Sequence, residues 1–126
     1  MIRVDTNYIL RYLIDDNKEM AEIAENVLMN YKVFISNEIF SEVVYVLEGF
    51  YKISREEISK TLIDIIEWEN IHTLNDNILI DALKIYKSKK LDFVDCLLCA
   101  YSKYDDVLTF DKKLNKCIEA KKWKKY

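Results

Sequence analysis

Residues 2–14 read IRVDTNYILRYLI, a short apolar strand followed at once by a helix-length segment. The strand Ile2-Arg3-Val4 ends at Asp5, and Thr6 is predicted to cap a helix from Asn7 to Ile14. The same order, a short apolar run and then a periodic segment, recurs along the rest of the chain. Because strands that alternate with helices form parallel sheets, this order predicts an α/β fold.

The remaining chain contains three more predicted strands and five more predicted helices. The strands cover residues 33–35, 71–74 and 107–110. The helices begin near residues 18, 36, 54, 75 and 92, and they end near residues 30, 49, 69, 87 and 103. We therefore predict a three-layer α/β/α sandwich around a mostly parallel sheet of four or five strands. Gly49 is expected at the end of the third helix, with the positive φ that helix ends commonly require.

The composition restricts the class of protein and the kind of site. The chain has 126 residues, 51% hydrophobic and 33% charged, which indicates one globular domain over residues 1–126. With one glycine and no proline, it cannot form the glycine-rich loops that bind nucleotide phosphates. We find no signal peptide or membrane-spanning run. Since three cysteines also fit no disulfide framework, we expect a cytoplasmic protein with no membrane partner.

Charge is distributed unevenly along the chain. Residues 112–126 hold seven lysines and one glutamate, a balance of +6 in a chain whose net charge is −3. A basic end on an acidic body is either a polyanion-binding segment or a solvated surface, and the second is more common.

Four acidic residues lie in demanding positions. Asp5 and Asp111 end predicted strands, whereas Glu42 and Asp95 interrupt helical segments that are apolar nearly all round. Burial of a lone carboxylate is costly, so such groups need a partner or a cation. Helix capping or strand-end turns are the alternative explanation for the three aspartates.

The carboxyl edge of a parallel sheet is where ligands bind in α/β folds, and two of the acids lie at that edge. Converging carboxylates repel one another unless a divalent cation compensates, and oxygen ligands suit Mg²⁺ or Mn²⁺. The corresponding chemistry is metal-assisted attack of water on a phosphodiester.

Four segments, taken in order, resemble the motifs of PIN-domain ribonucleases, particularly the VapC-type toxins of prokaryotic toxin–antitoxin pairs. They are VDTNYILRYL at residues 4–13, Glu42 followed by VVYVL, LDFVDCLL at residues 91–98 and LTFDKK at residues 108–113. The resemblance covers nearly the whole chain. One departure is Cys96, where a small residue such as alanine is more common.

The resemblance implies that Asp5, Glu42, Asp95 and Asp111 form a catalytic, metal-binding site for Mg²⁺ or Mn²⁺. Asp92 is the implied auxiliary acid, which caps the helix that presents Asp95 at its third position. The side chains of Thr6, Asn7 and Thr109 are candidate hydrogen-bond partners for the carboxylates. Ordinary capping or packing is the alternative for the two threonines.

The implied function is that of an endoribonuclease toxin whose products carry a 5′-phosphate and a 3′-hydroxyl. Its implied partners are RNA, a small antitoxin and a second copy of the chain. Candidate RNA contacts are Arg11, Lys112, Lys113 and Lys116, although Arg11 could equally pair with Asp15. Candidate dimer contacts are the apolar stripes Ile23/Val27 and Ile58/Leu62/Ile65, either of which could instead be core.

Two other functions compete with this hypothesis. One is a catalytically silent PIN-like module that binds RNA or protein. The other is a phosphohydrolase with an aspartyl-phosphate intermediate, which is disfavoured because Asn7 occupies the position of its usual second acid. The Cys96-x-x-Cys99 pair is interpreted as buried thiols, since no second pair completes a zinc site. His72 is interpreted as structural.

Overall fold

The computed structural model describes residues 1–123, which form three short strands and seven helices. The strands are β1 (Ile2–Arg3), β2 (Val33–Phe34) and β3 (Ile71–His72). The helices are α1 (Thr6–Ile14), α2 (Lys18–Asn30), α3 (Asn37–Gly49), α4 (Arg55–Ile66), α5 (Asp76–Ser88), α6 (Phe93–Tyr101) and α7 (Lys112–Trp123). No helix within residues 1–123 has the length and apolarity that crossing a membrane requires.

The three strands form one parallel sheet in the order β1-β2-β3. Ile2 pairs with Val33, and Val33 pairs in turn with Ile71. The predicted α/β fold with a parallel sheet is confirmed, and it is compatible with a three-layer sandwich. The predicted number of strands is wrong for residues 1–123, where three strands occur in place of four or five.

Residues 107–110, the predicted fourth strand, have no regular secondary structure. Leu108 and Phe110 alternate as in a strand, but both point to solvent, with Leu108 94% exposed. The polar groups of Thr109 serve the start of α7 instead of a strand ladder. Its hydroxyl accepts from the Asp111 N–H at 3.0 Å, and its carbonyl accepts from the Asn115 side chain at 3.0 Å.

Short polar side chains begin all seven helices of the described chain. In each case a side-chain oxygen accepts a backbone N–H three residues ahead, which satisfies a donor that the helix itself leaves unpaired. These residues are Asp5, Asn17, Ser36, Ser54, Asn75, Asp92 and Asp111. The prediction that Thr6 caps α1 is wrong, since Asp5 is the cap and Thr6 is already helical.

The end of α3 also differs from the prediction. Gly49 is the last helical residue and does not have a positive φ. Lys52 adopts the left-handed conformation instead, with φ of 57°. The helix ends through backbone hydrogen bonds in which the N–H groups of Phe50 and Tyr51 both donate to the Val46 carbonyl, at 2.9 and 3.2 Å.

Buried apolar side chains from every helix form one core cluster in the described chain. The predicted dimer stripe Ile58/Leu62/Ile65 belongs to this core, because all three side chains are buried. On α2 the buried face is Ala21, Ala24 and Leu28, so Ile23 is left 52% exposed and Val27 half-buried. Only the Ile23 stripe therefore remains available for a partner.

Arg55 connects the core helices to the loop before α6. Its Nη1 donates to the carbonyls of Tyr86, Lys89 and Leu91 at 3.1, 2.9 and 2.6 Å. Its guanidinium also stacks over the Tyr86 ring, 4.2 Å from the centroid, and pairs with Glu48 of α3 at 3.3 Å. The Tyr86 hydroxyl donates to the same glutamate. Arg55 thus satisfies the end of α5 and holds Leu91, the residue directly before Asp92.

Cys99 and Cys117 form a disulfide between α6 and α7, with their Cα atoms 6.0 Å apart. The interpretation of Cys96 and Cys99 as buried thiols is therefore wrong for Cys99, while Cys96 remains a free, buried thiol. The two residues are 18 positions apart in sequence, and the packing of α6 against α7 brings them together.

Candidate active site

The first pair of predicted site residues lies where α1 begins beside α3. The Thr6 hydroxyl donates to Glu42 Oε2 at 2.7 Å across a sequence separation of 36 residues. Thr6 therefore holds a carboxylate, as predicted. Asp5, the preceding residue, accepts the Tyr8 N–H through Oδ1 at 3.0 Å, which places its carboxylate at the N-terminus of α1.

The second group lies at the starts of α6 and α7. Asp92 Oδ1 accepts the Asp95 N–H at 3.0 Å, and Asp95 is the third residue of α6, as predicted. Asp111 Oδ1 accepts the Leu114 N–H at 2.8 Å at the first turn of α7. Two helix N-termini, each with positive electrostatic potential, thus point toward this group of acids.

The surroundings of the Asp95 carboxyl disfavour its charged form. Burial raises the pKa of Asp95, and the negative charges of Asp92 and Asp111 raise it further, together with a hydrogen bond to Asp92. Neighbouring negative charges disfavour the charged form of a carboxyl, whereas a nearby cation would favour it. The crowding also places Asp111 within electrostatic reach of Asp95, although they belong to different helices.

The expected burial of the four acids is wrong for three of them. Asp5, Glu42 and Asp111 are exposed, and Asp95 is half-buried. The apolar residues around the acids of α3 and α6 are partly on the surface as well, because each helix buries only one side. Tyr45 is 79% exposed and Val94 is 54% exposed.

Two of the grooves that adjoin these acids contain more than one predicted site residue. One contains Glu42 and Tyr45 of α3 together with Asp92 and Val94 at the start of α6. The other contains Asp5, Asn7, Tyr8 and Arg11 of the α1 region, and its far side is formed by Met20, Ile23 and Ala24 of α2.

A wider groove lies elsewhere, along α4 and α5, and its lining mixes lysines with acids. It contains none of the predicted site residues. We therefore give it no part in the site, because size alone indicates no chemistry.

Comparison with known proteins identifies the family of the chain. The family model described as PIN domain matches residues 2–118. The chain belongs to the PIN-domain family. The PIN domain is also 27% identical over 120 residues to a VapC ribonuclease of Aquifex aeolicus (strain VF5), covering 90% of this chain and 89% of that protein. No solved structure matches it. The predicted resemblance to VapC-type PIN ribonucleases is thus confirmed.

The predicted substrate contacts of the PIN domain lie on two helices. Arg11 donates to Asp16 at 2.9 Å, so the predicted alternative, pairing with Asp15, has the wrong partner. The reason is that Asp15 ends α1 in a left-handed conformation with φ of 55°, which turns the chain. Lys112 and Lys113 are exposed in the first turn of α7, where cations oppose the helix dipole. Lys116 is exposed on the same helix.

Thr6 differs from the other two predicted partners of the carboxylates, Asn7 and Thr109. Asn7 is exposed beside Asp5, in the α1 groove. The Thr109 hydroxyl contacts the backbone of Asp111 and not its carboxylate, so it positions the residue through the main chain. Lys124 and Lys125 of the predicted basic end lie outside the described residues.

The carboxylate oxygens of the site acids are donors that suit a hard divalent cation. Within residues 1–123 no three His, Cys, Asp or Glu side chains are grouped closely enough to hold a metal ion. Mg²⁺, however, is usually bound by one or two carboxylates together with waters and substrate phosphates. The crowded Asp95 and Asp111 carboxylates fit that requirement.

Two contacts that support the site were not predicted from the sequence. Arg55 holds the loop before Asp92, as described above. The Asn37 amide donates to the Tyr101 hydroxyl at 3.1 Å and so links the start of α3 with the end of α6. Neither residue lies in a motif, so only the knowledge of which helices pack together could identify them.

Proposed function

We propose that this PIN domain, over residues 1–126, is a Mg²⁺-dependent endoribonuclease and the toxin of a VapBC-type pair. Family membership and the similarity to a VapC ribonuclease support a nuclease. The observation that carries the metal dependence is the position of Asp95 beside Asp92 and Asp111, at the starts of α6 and α7. Burial raises the pKa of Asp95, and the negative charges of these two neighbours raise it further. Binding of a cation would relieve the repulsion between these carboxylates.

Asp5, Glu42, Asp95 and Asp111 are the proposed ligands of Mg²⁺ or Mn²⁺. When bound, the cation would supply charge neutralisation at the phosphodiester and would activate water for attack. Thr6 orients the carboxylate of Glu42 through its hydroxyl. Asp92 orients α6, and hence Asp95, by accepting the Asp95 N–H.

Binding of the RNA backbone is assigned to the basic residues around the acids. Lys112 and Lys113 follow Asp111 directly and are exposed, so they can reach phosphates beside the acidic cluster. Each phosphate contact releases counterions, and RNA binding should therefore weaken steeply with salt. Arg11 is a weaker candidate because Asp16 already binds its guanidinium.

The test of the nuclease uses asparagine variants, because asparagine caps helices as well as aspartate does. Asp5→Asn and Asp111→Asn keep the capping oxygen and remove only the charge, so we expect unchanged thermal stability. Asp95→Asn removes the charge of a residue that caps nothing. Each should lower Mg²⁺-dependent RNA cleavage by about 100-fold, within the contribution of metal-held catalytic groups.

The matched control is Asp106→Asn, an exposed acid outside the motifs, which should leave cleavage unchanged. Product ends are read by adaptor ligation, since 3′-hydroxyl ends ligate without phosphatase treatment. Wild-type cleavage by the double variant Asp5→Asn/Asp95→Asn would refute the site. A requirement for phosphatase before ligation would refute the proposed products.

The toxin assignment is tested by expression in bacterial cells. Expression of the wild type in bacteria should stop growth, expression of Asp95→Asn should not, and co-expression of the small antitoxin should restore growth. Equal growth arrest by both forms would remove the assignment.

The proposed homodimer would use the exposed Ile23 side of α2, so Ile23→Lys should convert a dimer to a monomer in light scattering.

The second candidate is a catalytically silent PIN module that binds RNA or protein. The absence, in the described residues, of three acids grouped for a metal favours it. The cleavage assay separates the two candidates. A silent module would bind RNA with Mg²⁺ or Mn²⁺ present and would produce no new ends.

A further inference from the structure

The only disulfide in the described chain lies beside the acidic cluster. The Cys99–Cys117 disulfide joins α6 to α7, and both residues are buried, at 0% and 2% exposure. Asp95 lies in the first turn of α6, and Asp111 directly precedes and caps α7. On α6, Asp95 lies four residues before Cys99, and residues with that spacing share one face of a helix.

The segment that leads from α6 to α7 does little to fix their relative position. Residues 105–110 have no helix or strand, and Leu108 and Phe110 within them are exposed. The start of α7 is instead held by its packing on α6, by its buried Leu114 and by the disulfide. The position of Asp111 relative to Asp95 therefore depends on the bond between these two helices.

We propose that the Cys99–Cys117 disulfide positions Asp111 against Asp95 for cation binding, so that its reduction weakens the site. This inference rests on the proposed metal-dependent function. The two cysteines act only through the aspartates and touch no reacting atom, so they are positioning residues.

A dithiol can supply the two electrons for reduction. One thiolate of the dithiol attacks a cysteine sulfur, the S–S bond breaks, and the second thiolate closes the dithiol to a cyclic disulfide. The two electrons and two protons go to Cys99 and Cys117, which become thiols. Because both sulfurs are buried, exchange must wait for α7 to open locally, and the change should be slow.

Cys96 does not take part in this exchange. It is fully buried on α6, and burial raises the pKa of its thiol to about 12. Its Sγ donates to the Leu91 carbonyl at 3.8 Å. Since the thiolate is the attacking species, a thiol with so high a pKa is inert at neutral pH. Cys96 therefore offers a control on the same helix.

The first measurement is a thiol count on the full-length chain, denatured without reductant. Of the three cysteines in the sequence, only Cys96 should react. Three reactive thiols would overturn the proposal at this step.

The second measurement is Mn²⁺ titration by electron paramagnetic resonance, on the oxidised protein, on the dithiothreitol-reduced protein and on Cys99→Ser/Cys117→Ser. We expect Mn²⁺ affinity to fall about tenfold in the last two, as for loss of groups that orient metal ligands. Hydrogen exchange at the Leu114 amide, which Asp111 caps, should accelerate in parallel without metal. Cys96→Ser should lower thermal stability and leave Mn²⁺ affinity unchanged.

The outcomes separate the two hypotheses. Equal Mn²⁺ affinity in the oxidised and reduced protein overturns the positioning role and leaves the nuclease intact. An equal loss of affinity in Cys96→Ser also overturns it, because general loosening of α6 would then suffice. Absence of Mn²⁺ binding in every form overturns the proposed function, and this inference with it.

Discussion

Arg55→Met should lower the free energy of unfolding far more than the substitution of an ordinary, partly exposed surface residue does. Arg55 lies at the start of α4, and its side chain is 26% exposed. It holds three backbone carbonyls at the end of α5 and in the loop that follows. Methionine keeps much of the apolar stem but donates no hydrogen bond, so those carbonyls lose a charged donor.

The size of the effect follows from these contacts. One nitrogen carries two hydrogens, so the three carbonyl contacts count as two charge-assisted hydrogen bonds, at about 1.5 kcal/mol each. The stacking on Tyr86 adds about 0.5–1 kcal/mol. The ion pair with Glu48 adds roughly 0.5 kcal/mol or less, because solvent screens it. Allowing for water that enters the site, we expect a loss of about 3–4 kcal/mol in the free energy of unfolding.

Urea unfolding followed by circular dichroism measures this loss, and Arg55→Lys is the matched control. Lysine keeps the charge but lacks the planar fork, so it should recover less than half of the loss. Glu48→Gln should cost about 1 kcal/mol, since it removes one hydrogen-bonded charge. A loss below about 1 kcal/mol in Arg55→Met would refute the view that Arg55 secures the end of α5.

Three further predictions concern the acids and the disulfide. Asp5→Ala should cost about 1 kcal/mol of stability through loss of the α1 cap, whereas Asp5→Asn should cost almost nothing. Asp95→Asn should stabilise the metal-free protein at pH 7, because burial and neighbouring acids raise the pKa of Asp95 and its charged form is unfavourable. Reduction of Cys99–Cys117 should remove about 3 kcal/mol for a loop of 18 residues, and lower Tm by on the order of 10 °C.

The Asp95 prediction has a defined pH dependence. At pH values above the raised folded-state pKa, the carboxylate is charged in both states and its crowding destabilises the native state. As pH falls through that pKa, the folded protein takes up a proton and the penalty shrinks. It vanishes below the ordinary value of about 4. Thermal melts of the wild type and of Asp95→Asn, with chelator and at several pH values, test this. A difference in stability between the two proteins that stays the same at every pH would contradict it.

The parts of the fold that depend on near neighbours in sequence could be predicted. Asp92 caps α6 and presents Asp95 at its third position, because a cap acts on an N–H only three residues away. The parallel sheet followed from the alternation of apolar runs with helical periods. Thr6 was predicted both as a cap and as a carboxylate partner, and the structure supports only the second.

The sequence by itself determined where most helices begin, which segments alternate and which acids stand at their ends, because these depend on hydrogen bonds and periodicities within a few residues. Only the tertiary structure decided that Leu108 and Phe110 face solvent and that Cys99 meets Cys117. Each of these depends on which helix faces pack together. Such packing is set by the whole core at once, and no single stretch of the chain encodes it.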